Sequence, residues 1–172
     1  MVIIQIIQII QVIYSIYIMF LKNKRNMLIN MFISNFISLI LFNIAGLGEA
    51  SLTTIFITLR SFLFTFREKY KTNFVFFFCL MLHIVAGIVT FKDLFSLLPC
   101  VTAIISVITL WFGNEQQIRI GSIISNLIWV IYYYLNNIYI SATFNLIVII
   151  FTIISCILNN RIYKKSPKLE NI

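Results

Sequence analysis

Long apolar segments separated by short charged segments fill almost the whole chain. A helix of about 20 apolar residues spans the roughly 30 Å hydrocarbon layer of a membrane, and the charged positions divide this sequence into segments of about that length. We therefore expect an all-α integral membrane protein with seven transmembrane helices. Five of them are predicted at 2–21, 27–47, 50–66, 71–91 and 94–112, and the last two within 120–160.

The stretch between Arg119 and Arg161 carries no charge over 41 residues. That is twice the length one crossing needs. The pair Asn136-Asn137 lies inside it, and asparagine tolerates the backbone geometry of tight turns. The pattern predicts two helices folded against each other at this pair.

The basic residues collect on one of the two sides that these predicted helices connect. Only Lys92 lies at one end, and Arg60 lies within the third helix. Because Lys and Arg collect on the cytoplasmic side, we expect the amino terminus outside and the carboxyl terminus in the cytoplasm. Anionic lipid headgroups are the expected partners of the basic loops. The other eleven bases lie at the cytoplasmic end: Lys22, Lys24, Arg25, Arg67, Lys69, Lys71, Arg119, Arg161, Lys164, Lys165 and Lys168.

The composition excludes a soluble domain. The chain has 172 residues, of which 61% are hydrophobic and 10% charged, whereas soluble domains carry about 25% charged residues. The formal net charge of +8 is explained by membrane orientation, so no nucleic-acid partner is expected.

The chain also repeats itself weakly at an offset of 91 residues. Asn23 falls on Asn114, and 33–35 falls on 124–126, both reading Ile-Ser-Asn. The offset maps the first three helices onto the last three. We therefore expect two parallel three-helix bundles, 1–70 and 94–160, joined by a linker helix at 71–93 and followed by a basic tail at 161–172. The alternative is chance, because the composition is rich in Ile and Asn.

The second half of the sequence resembles the YgjV-type bacterial inner-membrane proteins. The residues that carry this resemblance lie within 97–131 and include Leu97-Leu98-Pro99, Leu110-Trp111, Arg119 and Trp129-Val130-Ile131. Gly48-Glu49-Ala50-Ser51 with Arg60 is similar to the first half of that family. The resemblance implies a multi-pass protein of the bacterial cytoplasmic membrane, and it implies no reaction.

The predicted helix plan further resembles the SWEET, SemiSWEET and PQ-loop transporters, which move sugars and other small solutes. Those families usually carry prolines in the first two helices of each bundle, often as Pro-Gln. Here Pro99 is the one proline within a predicted helix, and Pro-Gln does not occur. This second resemblance is architectural and implies no substrate.

Polar side chains at helical spacing are the candidate solute-binding groups. Amides and hydroxyls replace the hydrogen bonds that a solute loses with its water, and aromatic rings offer a flat apolar face. We expect a neutral polar solute such as a sugar or heterocycle. The alternative is that these groups only hold helices together. The candidates are Asn35, Ser38, Asn126, Trp129, Tyr133 and Asn145.

Arg60 and Pro99 are candidate gating positions. Arg60 is the one strongly charged residue well inside a predicted helix, and all five acids lie in loops or the tail. Its guanidinium would bind an anionic group of a solute or form an inner gate. The alternative is that the side chain extends toward the membrane surface.

The sequence offers little for an enzyme. His83 is the one histidine, and the three cysteines are isolated from one another. A catalytic triad or a zinc site therefore has no candidate residues, and no cofactor is expected. We predict a facilitative small-solute transporter that works by alternating access between the two bundles, alone or as a homodimer. The alternative is a non-transporting membrane scaffold or regulatory protein.

Overall fold

The computed structural model describes residues 2–44, 48–66, 73–91 and 93–165. Those residues form seven α-helices and one 3-10 turn, with no β-strand among them. The predicted helix ends at 47 and 71 and the bases Arg67, Lys69, Lys71, Lys92 and Lys168 lie outside the described residues. The helices are α1 (Val2–Phe20), α2 (Lys24–Ile44), α3 (Gly48–Thr65), α4 (Asn73–Val89), α5 (Leu98–Phe112, preceded by the 3-10 turn Phe95–Leu97), α6 (Glu115–Leu135) and α7 (Tyr139–Lys165).

Helices α2 and α6 begin earlier than their apolar segments, because an asparagine caps each of them. The side chain of Asn23 accepts a hydrogen bond from the backbone N of Arg25 at 2.8 Å. The side chain of Asn114 accepts from the backbone N of Gln117, and the side chain of Gln117 accepts in return from the backbone N of Asn114, both at 2.9 Å. Such caps satisfy amide groups that have no partner within the helix. The two asparagines matched by the 91-residue offset therefore serve the same structural role.

The predicted turn at Asn136-Asn137 is confirmed. Helix α6 ends at Leu135 and α7 begins at Tyr139. Asn137 has a φ of 60°, a left-handed conformation in which asparagine is enriched. The chain thus reverses direction within three residues and packs α7 along α6.

The helix contacts close a ring. Helix α2 packs between α1 and α3, and α6 packs between α5 and α7. Helix α1 also contacts α7, α3 contacts α5, and α4 packs against both α3 and α5. At the offset of 91, α1 corresponds to α5 and α3 corresponds to α7. The contact of α1 with α7 therefore corresponds to the contact of α5 with α3. The packing is therefore similar under exchange of the two halves.

Close approach at two contacts requires glycine. A Cβ atom on Gly121 in α6 would lie 2.5 Å from Cγ2 of Thr109 in α5, and one on Gly87 in α4 would lie 2.6 Å from Sγ of Cys100 in α5. Small residues allow helix backbones to pack closely in membranes, where contact dispersion forces replace the hydrophobic effect.

The outer surface is strongly apolar. Phe74, Ile88 and Leu94 are each at least 70% exposed, and a surface with many such side chains indicates contact with lipid. Within the described residues, three segments are long and apolar enough to cross a membrane: Phe95–Phe112, Glu115–Leu135 and Tyr139–Asn159. Shorter apolar helices cover Ile6–Phe20, Thr54–Thr65 and Asn73–Val89.

Candidate functional site

A buried arginine of α6 binds the carboxyl end of α1. Arg119 is 1% exposed; its Nε donates to the main-chain oxygen of Met19 at 2.8 Å, and its Nη2 donates to that of Leu21 at 2.6 Å. Its Nη1 reaches Oε1 of Gln116 at 3.2 Å. Ser155 of α7 donates a second hydrogen bond to the Met19 oxygen at 2.5 Å. The last carbonyls of a helix have no partner within it, so α6 and α7 together satisfy this helix end.

A lysine of α2 makes the corresponding contact with the carboxyl end of α5. Nζ of Lys24 donates to the main-chain oxygens of Gly113 at 2.5 Å and of Trp111 at 3.3 Å. The backbone N of Lys24 donates to Oε1 of Glu115 at 3.0 Å. A positive charge at a helix carboxyl end also interacts favourably with the helix dipole. Each half of the chain thus supplies a cation to the first helix of the other half.

Lys24 and Glu115 are separated by 91 residues, which is the offset of the sequence repeat. This contact joins the start of α2 to the start of α6, and the hydrogen bonds of Arg119 and Lys24 add the ends of α1 and α5. The ends of α1 and α5 and the starts of α2 and α6 therefore meet at one end of the molecule. We call the contacts of Arg119 with Met19 and Leu21, and of Lys24 with Trp111 and Gly113, the reciprocal caps.

A cavity of about 730 Å³ lies at this same end. Polar and basic side chains share its wall with apolar and aromatic ones, so its chemistry is mixed. Among the described residues the wall holds three bases and one acid, so this part of the wall carries a net positive charge. We call it the basic cavity. Its lining residues are Lys22, Asn23, Lys24, Arg25, Leu28, Phe64, Thr65, Asn73, Trp111, Phe112 and Glu115.

Arg60 of α3 is buried against α4 and α5. It is 5% exposed, and its Nη1 lies 3.5 Å from Nε2 of His83 and 3.3 Å from the main-chain oxygen of Ala103. Its Nε, also buried, has no hydrogen-bond partner in the described part of the chain. A buried cation with long contacts to neutral groups is poorly compensated. The side chain therefore does not extend to the surface, which was the alternative considered for it.

Two of the predicted solute-binding residues join neighbouring helices. Nδ2 of Asn35 donates to Oγ of Ser61 in α3 at 2.8 Å. Ser38 is buried; its hydroxyl accepts from the side chain of Gln11 in α1 and donates to the main-chain oxygen of Ser34 at 3.0 Å. These contacts run across the first half of the ring.

Within the described residues, no hydrogen bond joins the predicted residues of the second half to another helix. Nδ2 of Asn126 donates to the main-chain oxygen of Ser122 at 2.7 Å, and Nδ2 of Asn145 donates to that of Ser141 at 2.8 Å. Trp129 stacks on Tyr133 with ring centroids 5.3 Å apart. None of the six predicted residues lines the basic cavity, so their role in binding stays a prediction.

Pro99 lies in the first turn of α5. Its missing N–H is tolerated there because the first amides of a helix have no partner within it. Its carbonyl accepts from the hydroxyl of Thr102 at 2.8 Å. The proline thus starts a helix at this position, and its proposed part in gating stays a prediction.

Reasoning from the sequence missed the reciprocal caps. It treated Lys24 and Arg119 as loop bases that face lipid headgroups, but Lys24 caps α5 and Arg119 is buried inside α6. The available signal was Asn114 followed by Gln117, a capping box that starts α6 five residues before Ile120 and brings Arg119 into the helix.

The family model described as "Bacterial inner membrane protein", Imp-YgjV, matches residues 2–166. No curated protein and no solved structure matches the chain. The match extends the resemblance inferred from 97–131 to nearly the whole sequence, whereas the architectural likeness to the SWEET transporters stays a prediction. The chain belongs to the Imp-YgjV family of bacterial inner membrane proteins.

Proposed function

We propose that this protein passes a small polar solute across the bacterial inner membrane by alternating access between two like-oriented halves, α1–α3 and α5–α7. The observation that carries the proposal is the pair of reciprocal caps, in which each half binds the end of the first helix of the other. Parallel repeats that face each other across an axis are one way in which transporters build two alternating states around a central solute.

The reciprocal caps close one end of the molecule in this state. Lys24 and Arg119 hold the ends of α5 and α1 through main-chain oxygens, and these hydrogen bonds would break and reform if the halves rock against each other. Rigid-body rocking of repeats around a fixed site requires such exchangeable contacts. We infer that the closed end is the cytoplasmic one, because it carries Lys22, Lys24 and Arg25.

The solute path in this proposal runs between the halves, past the polar side chains above the caps. Asn126 and Asn145 use Nδ2 within their own helices, and in the described residues no donor reaches their Oδ1 atoms, which would accept hydrogen bonds from solute hydroxyls. The stacked rings of Trp129 and Tyr133 would supply the flat face that sugars and heterocycles prefer. Arg60 would contact an anionic group of the solute or form an inner gate.

The proposal includes seven transmembrane helices, an amino terminus outside the cytoplasm and facilitative transport. In the described helices the acids Glu49 and Glu115 lie in the first turn of α3 and of α6, and no Asp or Glu lies deeper, whereas proton relays in pumps commonly use intramembrane carboxylates. Movement of solute down its own gradient is then the simplest mechanism.

The test is solute uptake by purified protein reconstituted in vesicles. A thermal-shift screen against sugars, vitamins, nucleosides and amino acids selects the solutes. We expect Asn126→Leu to abolish uptake while the protein still folds. Asn43→Leu is the matched control, since Asn43 is exposed and also bonds a carbonyl of its own helix, that of Leu39 at 2.8 Å. Equal loss in both variants, or unchanged uptake with Asn126→Leu, would remove this residue from the proposed site.

A second candidate function is a scaffold that holds a partner in the membrane without moving a solute. It is favoured by the hydrogen bonds that Asn126 and Asn145 make within their own helices, since their Nδ2 donors need no solute partner. If no compound of the screen shifts the unfolding temperature or enters vesicles, the scaffold function replaces the transporter.

A further inference from the structure

The described wall of the basic cavity carries a net positive charge. Its wall includes Lys22, Lys24 and Arg25, against the single carboxylate of Glu115. The side chains of Lys22 and Arg25 are exposed, and in the described part of the chain no carboxylate forms an ion pair with either. Two cations on one cavity wall that form no ion pair within the described residues attract an anion from solution or from the membrane surface.

The backbone adds to this positive field. Helices α2 and α6 begin at Lys24 and Glu115, and both residues line the cavity. The amino end of a helix carries a partial positive charge, which favours an anion such as phosphate. The helix ends add to the positive charge that the lysine and arginine side chains give the cavity wall.

Another part of the cavity wall is apolar and aromatic. Leu28, Phe64, Trp111 and Phe112 line it, and Phe64 packs against Trp111 with ring centroids 5.0 Å apart. A volume of about 730 Å³ is within the usual range for a small-molecule site and is much larger than a bare phosphate ion fills. The ligand should therefore combine a phosphate group with an apolar or ring-shaped body.

We propose that the basic cavity binds a phosphate ester, with its phosphate on Lys22 and Arg25 and its body against Trp111 and Phe112. Two sources share this chemistry: the headgroup of an anionic phospholipid and a free phosphate ester. The site goes beyond the proposed transport and does not depend on it, because the cavity wall contains none of the predicted solute-binding residues.

Trp111 supplies the measurement. The chain has two tryptophans, so Trp129→Phe leaves Trp111, in the cavity wall, as the sole tryptophan. In neutral detergent, titration with phenyl phosphate should change the Trp111 emission and saturate. Lys22→Ala with Arg25→Ala should weaken the apparent Kd at least tenfold, whereas Lys22→Arg with Arg25→Lys, which keeps both charges, should hold it within about threefold. Both positions are exposed, so these variants should fold, and thermal unfolding checks it.

A second arm separates the two sources. The same protein is placed in nanodiscs of phosphatidylcholine with or without one-fifth phosphatidylglycerol. If phosphatidylglycerol alone changes the emission and prevents the response to phenyl phosphate, the ligand is a lipid headgroup. If phenyl phosphate responds equally in both discs, it is a free ester. A response that survives the double alanine substitution, or no response to either probe, overturns the proposal.

Discussion

Arg119 in α6 and Met19 at the end of α1 are joined by a hydrogen bond of 2.8 Å from Nε to the main-chain oxygen, across one hundred residues of sequence. The contact is buried, and the same guanidinium also binds the oxygen of Leu21 at 2.6 Å. A planar guanidinium suits this task because its donors are fixed in a fork that reaches two oxygens at once. The carboxyl end of α1 is thereby fixed to the second half of the chain.

We expect Arg119→Met to destabilise the fold strongly. The substitution leaves the main-chain oxygens of Met19 and Leu21 without their arginine donors in a buried place, at a cost of about 3 kcal/mol. Arg119→Lys should recover part of this loss, because one ammonium replaces only part of the fork. Thermal unfolding in detergent measures both. Arg25→Met, at an exposed side chain of the same end, is the control and should change Tm little; an equal drop in Arg25→Met would assign the effect to net charge.

The repeat-related residues Asn35 and Asn126 should differ in their effect on stability. Asn35 bonds Ser61 in another helix, whereas Asn126 bonds Ser122 in its own helix. Asn35→Leu should therefore cost about 1 kcal/mol, as for a typical hydrogen bond between membrane helices, and Asn126→Leu should be close to neutral. Unfolding midpoints of the two variants decide this, and equal midpoints would contradict the difference in bonding.

The sequence predicted the order and ends of the helices better than it predicted the residues of the candidate site. The turn at Asn136-Asn137 follows from a stretch too long for one helix, and the offset of 91 correctly aligned the capping residues Asn23 and Asn114. Periodicity also identified which residues are polar inside helices. These features are local, so a linear pattern contains them.

The reciprocal caps and the basic cavity depend on distant parts of the chain. Counting charges indicates the side of the membrane on which a base lies, but not whether it turns inward to a helix end, as Arg119 does, or outward, as Arg25 does. That choice depends on which helix ends meet in the fold. Phe64 and Trp111 are buried beside the cavity, and the apolar segments that contain them do not indicate this.

Gly121→Ala should separate α5 from α6. The new Cβ would lie 2.5 Å from Cγ2 of Thr109, so the helices must shift, and overpacking of this kind typically costs about 1–3 kcal/mol. Thr109→Ala in the same chain removes the nearest atoms and should restore part of the stability. Unfolding of the single and double variants measures the coupling; a double variant no more stable than Gly121→Ala alone would locate the strain elsewhere.

Reporter fusions test the proposed orientation. A fusion within 22–25 should give a cytoplasmic signal, because three of the four residues there are basic. A fusion at Asn137, in the turn between α6 and α7, should give an external signal. Two signals on the same side would contradict the helix plan, and exchanged signals would invert the orientation of the proposed gate.

Substitution of Arg60 should affect solute uptake and thermal stability differently. It is 5% exposed, its Nε is unpaired in the described part of the chain, and its Nη1 makes only contacts of 3.3 and 3.5 Å. Replacing a poorly compensated buried charge by an apolar side chain of similar length often leaves stability unchanged or raises it. We therefore expect Arg60→Met to keep or raise Tm in detergent.

The same substitution should abolish uptake if the guanidinium contacts the solute or forms a gate, and Arg60→Lys should retain part of the uptake for a solute that carries an anionic group. Stability and uptake are measured on the same preparation, so a folding defect cannot be mistaken for a loss of function. A large drop in Tm with Arg60→Met would show that the contacts with His83 and Ala103 stabilise the fold. Arg60 would then be a structural residue, since a charge kept for function alone has no reason to hold three helices together.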